Sequence, residues 1–305
     1  MNSKTTTQPA KTDVYARVTD RIIQDLEAGT RPWAKPWSAD HTTSRIGRPL
    51  RFNGTPYRGV NVLLLWGDAI DKGFSSSTWM TYKQAQQLGG QVRKGECGSL
   101  VVFADLLTTT EDNGKGEEVE RRIPFMKGYT VFNIEQIDGL PAPFGQAPSP
   151  ALPPVALHQA AEEFFAKTGA TFRHGGNQAC YAPAADVIRL PPPGAFRDPE
   201  SYAATKAHEL IHWTGHGSRC AREFGKRFGD RAYAFEELVA ELGAAFLCAD
   251  LGITPEIRED HGAYLAHWLA VLKEDKRGIF TAATHAQRAA DFLHGLQDIA
   301  TRTAA

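Results

Sequence analysis

The chain has 305 residues, of which 42% are hydrophobic, with four scattered cysteines and a formal net charge of −1. This length predicts about two domains, the hydrophobic content excludes a wholly disordered chain, and cysteines without a C-x-x-C pair favour reduced thiols. A membrane span needs about 18 continuous apolar residues, and no stretch of the chain approaches that length. The first residues are polar and lack the apolar core of a signal peptide. We therefore expect a cytoplasmic protein without a membrane partner.

Charge is unevenly distributed along the chain. Residues 31–103 contain ten lysines and arginines but four aspartates and glutamates, so this span carries +6 and the remainder carries −7. Such a basic span predicts a polyanionic partner for the first half of the chain. The alternative is a solvated basic surface that binds no ligand.

Two domains and a linker are predicted. Residues 1–12 are polar and are expected to form a disordered tail, and residues 13–138 form the first domain. Residues 139–155 hold six of the 18 prolines and read as a semi-rigid linker, because proline fixes φ and lacks an N–H. Residues 156–305 form the second domain.

The first domain is predicted to be a small α+β unit. Apolar residues recur every four positions over residues 13–29, which predicts a helix ended by Gly29. An irregular segment follows, then a short helix stopped by Gly89. Two strands are predicted on either side of a polar, charged hairpin loop over residues 108–122.

Residues 30–61 interleave aromatic rings with cations in a segment that prolines and glycines keep from regular structure. Bases stack on such rings while lysines and arginines neutralise phosphates, so single-stranded nucleic acid is the predicted ligand, without strong sequence preference. The candidate binding residues are Trp33, Lys35, Trp37, Arg45, Arg48, Arg51, Tyr57 and Arg58, joined by Trp79, Arg93 and Lys94, and Tyr82 can add to the same surface. The alternative for Trp33 and Trp37 is packing in the core.

The second domain reads as mainly helical. After a helix ended by Gly169, residues 186–191 predict a short strand, which is either a peptide-binding edge strand or an ordinary inner strand. A well-capped helix follows, with Asp198 at the N-cap, Pro199 at the first helical position and Gly215 after its end. Residues 232–252 form a longer, largely buried helix, and two more helices complete the chain.

The capped helix carries the pattern H-E-x-x-H. His208 and His212 are four residues apart, so both imidazoles leave one helix face and can reach the same tetrahedral Zn²⁺. Glu209 points to the side, where it can act as the general base of a metallopeptidase. The alternative is a chance occurrence of the pattern on a buried helix.

A catalytic zinc site needs a third protein ligand. Residues 235–241 resemble the segment of glutamate-type zincin metallopeptidases that reads Asn-Glu-x-x-Ser-Asp, which implies Glu237 as the ligand and Glu241 as the residue orienting the first histidine. Glu236 replaces the asparagine, and we expect it to lie on a solvated helix face. His216 is the rival third ligand. Tyr233, Tyr264 and His261 are candidates for stabilising the oxyanion.

The whole chain resembles the ArdC-type antirestriction proteins of conjugative plasmids. The stretches that carry the resemblance are residues 13–37, 53–61 and 79–98 in the first half and residues 186–196, 201–216 and 232–253 in the second. The resemblance implies an N-terminal domain that binds single-stranded DNA and a C-terminal zincin domain of SprT-like character. It also implies a role in protecting incoming plasmid DNA from host restriction.

We therefore expect an α+β protein with one catalytic Zn²⁺, although the donors do not exclude Mn²⁺ or another divalent ion. Single-stranded DNA is the expected partner, and a DNA-bound host protein is the candidate substrate. One alternative is a DNA-binding protection factor whose zinc is structural, and another is a general peptidase whose basic half binds a different ligand. The sequence makes no prediction of oligomeric state.

Overall fold

The computed structural model describes residues 13–33, 47–112, 118–142, 144, 154–224, 231–253 and 261–303. The first half contains α1 (Val14–Glu27), β1 (Leu50–Arg51), α2 (Val60–Lys72), β2 (Thr78–Met80), α3 (Tyr82–Gln87), β3 (Gln91–Val92), β4 (Ser99–Asp112), β5 (Glu118–Asn133) and β6 (Ile137–Asp138). The second half contains α4 (Pro154–Lys167), β7 (Thr171–His174), β8 (Cys180–Ala182), β9 (Val187–Leu190), α5 (Pro199–Thr214), α6 (Arg231–Leu251), α7 (His261–Glu274) and α8 (Gly278–Thr303).

The predicted α+β class is confirmed, with a helical second half. Among the described helices, none combines the length and the apolar character that crossing a membrane requires. The predicted ends of α1 and α3 are also confirmed, since Gly29 and Gly89 follow these helices with φ of 75° and 82°. Glycine adopts such left-handed conformations without the steric penalty of a Cβ, which lets the chain leave the helix.

The strands of the first half form a four-stranded sheet of order β1-β2-β5-β4 and a two-stranded sheet of β3 and β6. β4 and β5 pair in an antiparallel ladder from Ser99↔Val131 to Asp112↔Glu118. The predicted loop over residues 108–122 is therefore wrong for most of its length. Ladder hydrogen bonds come from the backbone, so a strand pair continues through polar residues that composition alone assigns to a loop.

In the second half, β7, β9 and β8 form a three-stranded sheet in that order. β9 pairs in parallel with β7 and antiparallel with β8, so the strand predicted at residues 186–191 is the inner strand. Ile188 and Leu190 are accordingly fully buried. The edge-strand alternative for this segment is wrong, and β8 occupies an edge of the sheet instead.

The hydrophobic core does not divide at the predicted linker. The larger cluster joins α1 and α2 of the first half to α6, α7 and α8, with Leu26, Leu63 and Trp268 among its members. A second cluster joins α4, α5 and β9 to another face of α6. α6 contributes to both clusters and is therefore apolar around most of its circumference, as a helix buried on several sides should be.

Candidate metal centre

α5 begins where the sequence predicts. Asp198 is the N-cap, and its carboxylate accepts hydrogen bonds from the backbone N–H and the hydroxyl of Ser201, both at 2.7 Å. Pro199 occupies the first turn, and Gly215 is the C-cap. Capping satisfies backbone groups that the helix ends would leave unpaired, so it fixes where the helix begins and ends, and the four-residue spacing then puts His208 and His212 on one face.

Three donor groups from α5 and α6 converge at one point. The Nε2 atoms of His208 and His212 are 3.2 Å apart, and the two carboxylate oxygens of Glu237 lie 3.5 Å from one Nε2 each. Tetrahedral bonds of the length that Zn²⁺ makes to nitrogen and oxygen place ligand atoms about 3.3–3.6 Å apart. One donor atom from each of the three side chains lies within 4.8 Å of the others, so the residues fit a divalent ion. His216 lies outside this group and contacts Ser218 instead.

Glu236 supports the second histidine. Its Oε1 is 3.2 Å from Nδ1 of His212, and Arg222 donates to both of its oxygens, from Nε at 3.0 Å and Nη2 at 2.9 Å. The expectation that Glu236 lies on a solvated helix face is wrong, because only 3% of this residue is exposed. A carboxylate on the far nitrogen of a ligating histidine fixes its tautomer and orientation. The sequence signal for this role was the carboxylate immediately before Glu237.

Glu241 lies behind the first histidine, as the zincin resemblance implies. One carboxylate oxygen, Oε2, is 3.9 Å from Nδ1 of His208. The other, Oε1, is 4.0 Å from Nη1 of Arg31 in the first half of the chain. The carboxylate therefore lies between an imidazole and a guanidinium, at ion-pair rather than hydrogen-bond distances.

Burial and charge act against each other in this cluster. Burial alone would lower the pKa of His212, but its contacts with Glu236 and Glu237 outweigh burial and raise the pKa to about 10. Burial alone would raise the pKa of Glu237, but both histidines hold it well below its usual range. The site thus concentrates negative charge around two imidazoles, which is the electrostatic environment that a cation requires.

Two more groups border the site. The pKa of the Tyr233 hydroxyl is raised, first by burial and then by its hydrogen bond with Tyr264 and the nearby charge of Glu237, so this phenol stays protonated near neutral pH. Glu209 is buried, and its charge contributes, after burial, to a raised pKa of the Cys180 thiol on β8. The edge strand of the small sheet therefore lies close to the candidate general base.

Comparisons with known proteins cover both halves. Residues 12–132 match the N-terminal domain of the anti-restriction factor ArdC, and residues 159–285 match a zincin-like metallopeptidase domain. The metal-free crystal structure of antirestriction ArdC from plasmid R388 is 49% identical, with a TM-score of 0.78 over 93% of this chain and 97% of that chain. The chain belongs to the ArdC family of antirestriction proteins.

Further proteins are similar to most of this chain. The Mn(II)-bound crystal structure of R388 ArdC is 47% identical, with a TM-score of 0.76 over 93% of this chain and 98% of that chain. The uncharacterized protein y4eC of Sinorhizobium fredii is 43% identical over 97% of this chain and 96% of its own length. DNA primase TraC of Escherichia coli is 38% identical over 93% of this chain, which spans only 27% of TraC.

Several residues predicted to bind DNA are core residues of this ArdC-family chain. Trp79 and Trp33 are 1% and 2% exposed, and Tyr57 is also buried. The ring centroids of Trp33 and Trp268 are 6.4 Å apart, so the alternative prediction, that Trp33 packs in the core, is the one that the structure supports. The prediction that Trp33, Tyr57 and Trp79 stack on bases is corrected, since a buried ring has no face open to a ligand.

Arg48 is also corrected. Its guanidinium is buried, pairs with Asp250 at 3.0 Å and lies 4.3 Å from the ring centroid of Phe246. To contact a phosphate, the Arg48 guanidinium would have to break its buried ion pair with Asp250. Arg48 therefore joins the two halves of the fold rather than facing solvent.

The remaining predicted residues are exposed or lie outside the described residues. Arg51 lies over the Tyr57 ring, Arg58 pairs with Asp291, and Arg93 pairs with Glu96 and Asp138. Lys94 is exposed, and no acidic partner for it occurs in the described part of the chain. The predicted residues Lys35, Trp37 and Arg45 lie outside the described residues.

The structure exposes Tyr82, which the sequence suggests as part of this surface, and two further aromatic rings that the sequence did not indicate. Tyr82 is 43% exposed and lines an open groove of about 620 Å³ with Phe132, Arg93 and Lys94. On the β4–β5 hairpin, exposed Phe103 and Tyr129 stand edge to face at 6.3 Å, and Lys127 lies 5.3 Å above the Tyr129 ring. The available signal was alternation along β5, which puts Lys127 and Tyr129 on one face.

Proposed function

We propose that this ArdC-family protein is a zinc metallopeptidase in which His208, His212 and Glu237 hold the ion. The observation that carries the proposal is the convergence of these three side chains, with the two Nε2 atoms 3.2 Å apart and each Nε2 3.5 Å from a carboxylate oxygen of Glu237. These separations are close to those between the ligand atoms of a tetrahedral zinc site. When bound, the ion supplies the Lewis acidity that allows amide hydrolysis near neutral pH. Zn²⁺ is chosen over Mn²⁺ because two imidazoles and one carboxylate form a common catalytic zinc set.

The residues around the ion have separate roles in the proposed reaction. Glu209 accepts a proton from the attacking water and returns it to the leaving amine. Tyr233, kept protonated by burial, donates a hydrogen bond to the carbonyl oxygen as charge develops there. The edge strand β8 offers backbone groups that an extended peptide can pair with beside Glu209.

The experiment replaces Glu209 with Gln, which keeps the shape of the side chain but removes the base. Cleavage should fall by at least about 100-fold, because general-base catalysis contributes that much, while bound zinc stays unchanged by elemental analysis. Glu223→Gln, an exposed glutamate just beyond α5, is the matched control and should keep both. Glu237→Gln should lose zinc. Undiminished cleavage by Glu209→Gln, or undiminished zinc in Glu237→Gln, would contradict the proposal.

We also propose that the first half binds single-stranded DNA with little sequence preference. The support is the groove beside Tyr82, where an exposed ring adjoins Lys94. Arg93 is already paired with Glu96 and Asp138, so Tyr82 and Lys94 are expected to make the main contacts there. Phe103, Lys127 and Tyr129 form a second aromatic and basic patch suited to the same ligand.

Binding of labelled single strands across a salt series tests this proposal. Tyr82→Ala should weaken binding about 5- to 150-fold, the loss of one stacked base. Lys94→Ala should reduce the slope of log affinity against log salt by about 0.7, the loss of one phosphate contact. Lys167→Ala, an exposed lysine at the end of α4, is the control and should change neither. If the wild-type protein had no affinity for single strands, the DNA-binding proposal would be wrong, and the alternative of a general peptidase would remain.

The two activities together suggest how the protein acts in the cytoplasm. We propose that DNA binding brings a DNA-bound host protein within reach of the metal site, which protects incoming plasmid DNA from restriction. Antirestriction should then be lost in Glu209→Gln during plasmid transfer into a restricting host. Full protection by that variant would favour the alternative, a DNA-binding protection factor whose metal ion is structural.

A further inference from the structure

Each of the two candidate metal-binding histidines is contacted by a glutamate, and that glutamate is in turn contacted by an arginine. For His212 the series is Arg222–Glu236–His212, and all its members belong to the second half of the chain. For His208 the series runs through Glu241 to Arg31, which comes from the loop after α1 in the first half. The two halves thus contribute one supporting arginine each.

Arg31 is held in place by its neighbours along the chain. The N–H of Thr30 donates to the carbonyl oxygen of Asp25 at 2.8 Å, and Trp33 packs against Trp268 on α7. The Arg31 side chain is 16% exposed, and Nη1 is buried with no hydrogen-bond acceptor among the described residues. The Arg31 guanidinium is therefore a fixed positive charge close to the Glu241 carboxylate, and not a mobile surface group.

Glu241 needs such a cation. Its side chain is 8% exposed, and a buried carboxylate is costly unless positive charge compensates it. Oε1 faces Arg31, while Oε2 faces Nδ1 of His208. Arg31 attracts one oxygen of the carboxylate, which leaves the other oxygen directed toward the histidine and orients the imidazole for the metal.

We propose that Arg31 is a positioning residue of the metal centre, through which the N-terminal domain holds Glu241 against His208. The inference rests on the proposed metal site and adds that the site is incomplete without the N-terminal half. Within the described residues, Arg31 pairs with Glu241 and with none of the three proposed metal ligands, so it acts through Glu241. The family matches place Arg31 and Glu241 in different domains, at residues 12–132 and 159–285.

Zinc affinity, measured by competition with a chromophoric chelator on the full chain, tests the role of Arg31. Arg31→Met, which keeps the length and removes the charge, should weaken Zn²⁺ binding by up to about 100-fold, the upper limit being the loss expected if Glu241 itself no longer supported His208. Arg31→Lys should recover part of that loss. Arg17→Met, an exposed arginine on α1, is the matched control and should bind Zn²⁺ as the wild type does.

A double-mutant cycle separates positioning from general destabilisation. If Arg31 acts through Glu241, Arg31→Met combined with Glu241→Gln should bind Zn²⁺ no more weakly than Glu241→Gln alone. Circular dichroism of the metal-free variants checks the fold, and Arg31→Gln replaces Arg31→Met if the latter unfolds. Wild-type affinity in the neutral variants, or fully additive losses, would overturn the role of Arg31 alone. Wild-type protein that binds no Zn²⁺ would overturn the metal site as well.

Discussion

Three carboxylates on one turn and a half of α6 have different environments. Glu237 faces both imidazoles, Glu236 lies between His212 and Arg222, and Glu241 lies between His208 and Arg31. Their chemistry is identical, so their roles follow from direction alone. In the zincin pattern an asparagine precedes the ligand, and Glu236 at that position brings an extra negative charge that Arg222 compensates.

Replacement of Glu236 tests its role at the scale of a single residue. Glu236→Gln should weaken Zn²⁺ binding about 10- to 100-fold, because the amide cannot hold His212 through a charged hydrogen bond. The measurement is chelator competition on the purified protein, with Glu223→Gln as the control. Unchanged Zn²⁺ affinity would show that Arg222 and Glu236 contribute to packing around α5 and α6 but do not support His212 in metal binding.

At the scale of elements, the site depends on how closely α5 and α6 approach. Gly243 on α6 faces Ile211 on α5, and an added Cβ would lie 2.9 Å from a side-chain carbon of Ile211. These two residues lie next to the helical turns that carry His212 and Glu241. The glycine therefore sets the separation of the two helices that carry His208, His212 and Glu237.

Gly243→Ala should push α6 away from α5. We expect a loss of about 1–3 kcal/mol of unfolding free energy from overpacking, together with weaker zinc binding because the donors separate. Gly295→Ala on α8 is the control, since no atom lies within 4 Å of its added Cβ. That control should be neutral or stabilise by up to about 1 kcal/mol, because alanine favours helix. Denaturant unfolding and metal titration measure both effects.

The N-cap of α5 gives the site a dependence on acid. Hydrogen bonds from the hydroxyl and backbone of Ser201 lower the pKa of Asp198 to about 2. This pKa is below the value of about 3.9 in an unfolded chain, so the contribution of Asp198 is complete above about pH 4 and is lost as pH falls toward 2.

Asp198→Ala should reduce unfolding free energy by about 1 kcal/mol near neutral pH, the usual effect of removing a cap. Asp198→Asn keeps an acceptor and should lose less. The difference between wild type and Asp198→Ala should shrink as pH is lowered from 4 to 2, followed by denaturant unfolding at each pH. A difference that grows on acidification would show that the carboxylate does not act as the cap.

At the scale of the whole molecule, the two family domains share the larger hydrophobic cluster. α1 and α2 pack with α6, α7 and α8, and polar contacts cross the same boundary. Thr19 donates to the carbonyl oxygen of Lys276 at 2.6 Å, and Lys273 pairs with Glu27 at 2.6 Å. Burial shared in this way couples the stability of the halves, so we expect them to unfold together.

Arg48→Met tests this coupling, because Arg48 is a buried link between the halves. Its loss leaves Asp250 with less compensation and should cost about 3 kcal/mol. Tryptophan fluorescence and circular dichroism should report one coincident unfolding transition, shifted as a whole in the variant. Arg17→Met should leave the transition unchanged. Two separate transitions, with only one shifted, would show that the halves fold independently.

The local parts of this molecule were predictable from the sequence. The caps of α5 and the one-turn spacing of His208 and His212 follow from helix geometry, and a short motif predicts that Glu237 lies beside them, where the structure has it. Spacing along a helix determines direction because every residue turns by a fixed angle. The length of the β4–β5 hairpin was not predictable, because polar composition does not show whether backbone groups pair.

Only the tertiary structure decided which side chains are covered and what lies behind the donors. Trp33, Tyr57, Trp79 and Arg48 have the composition of a nucleic-acid surface, yet segments far away in the chain bury them. The partners of Glu241 are likewise distant, with Arg31 some two hundred positions earlier in the sequence. Burial and charge pairing depend on contacts between remote segments, and a linear pattern carries no information about which remote segments meet.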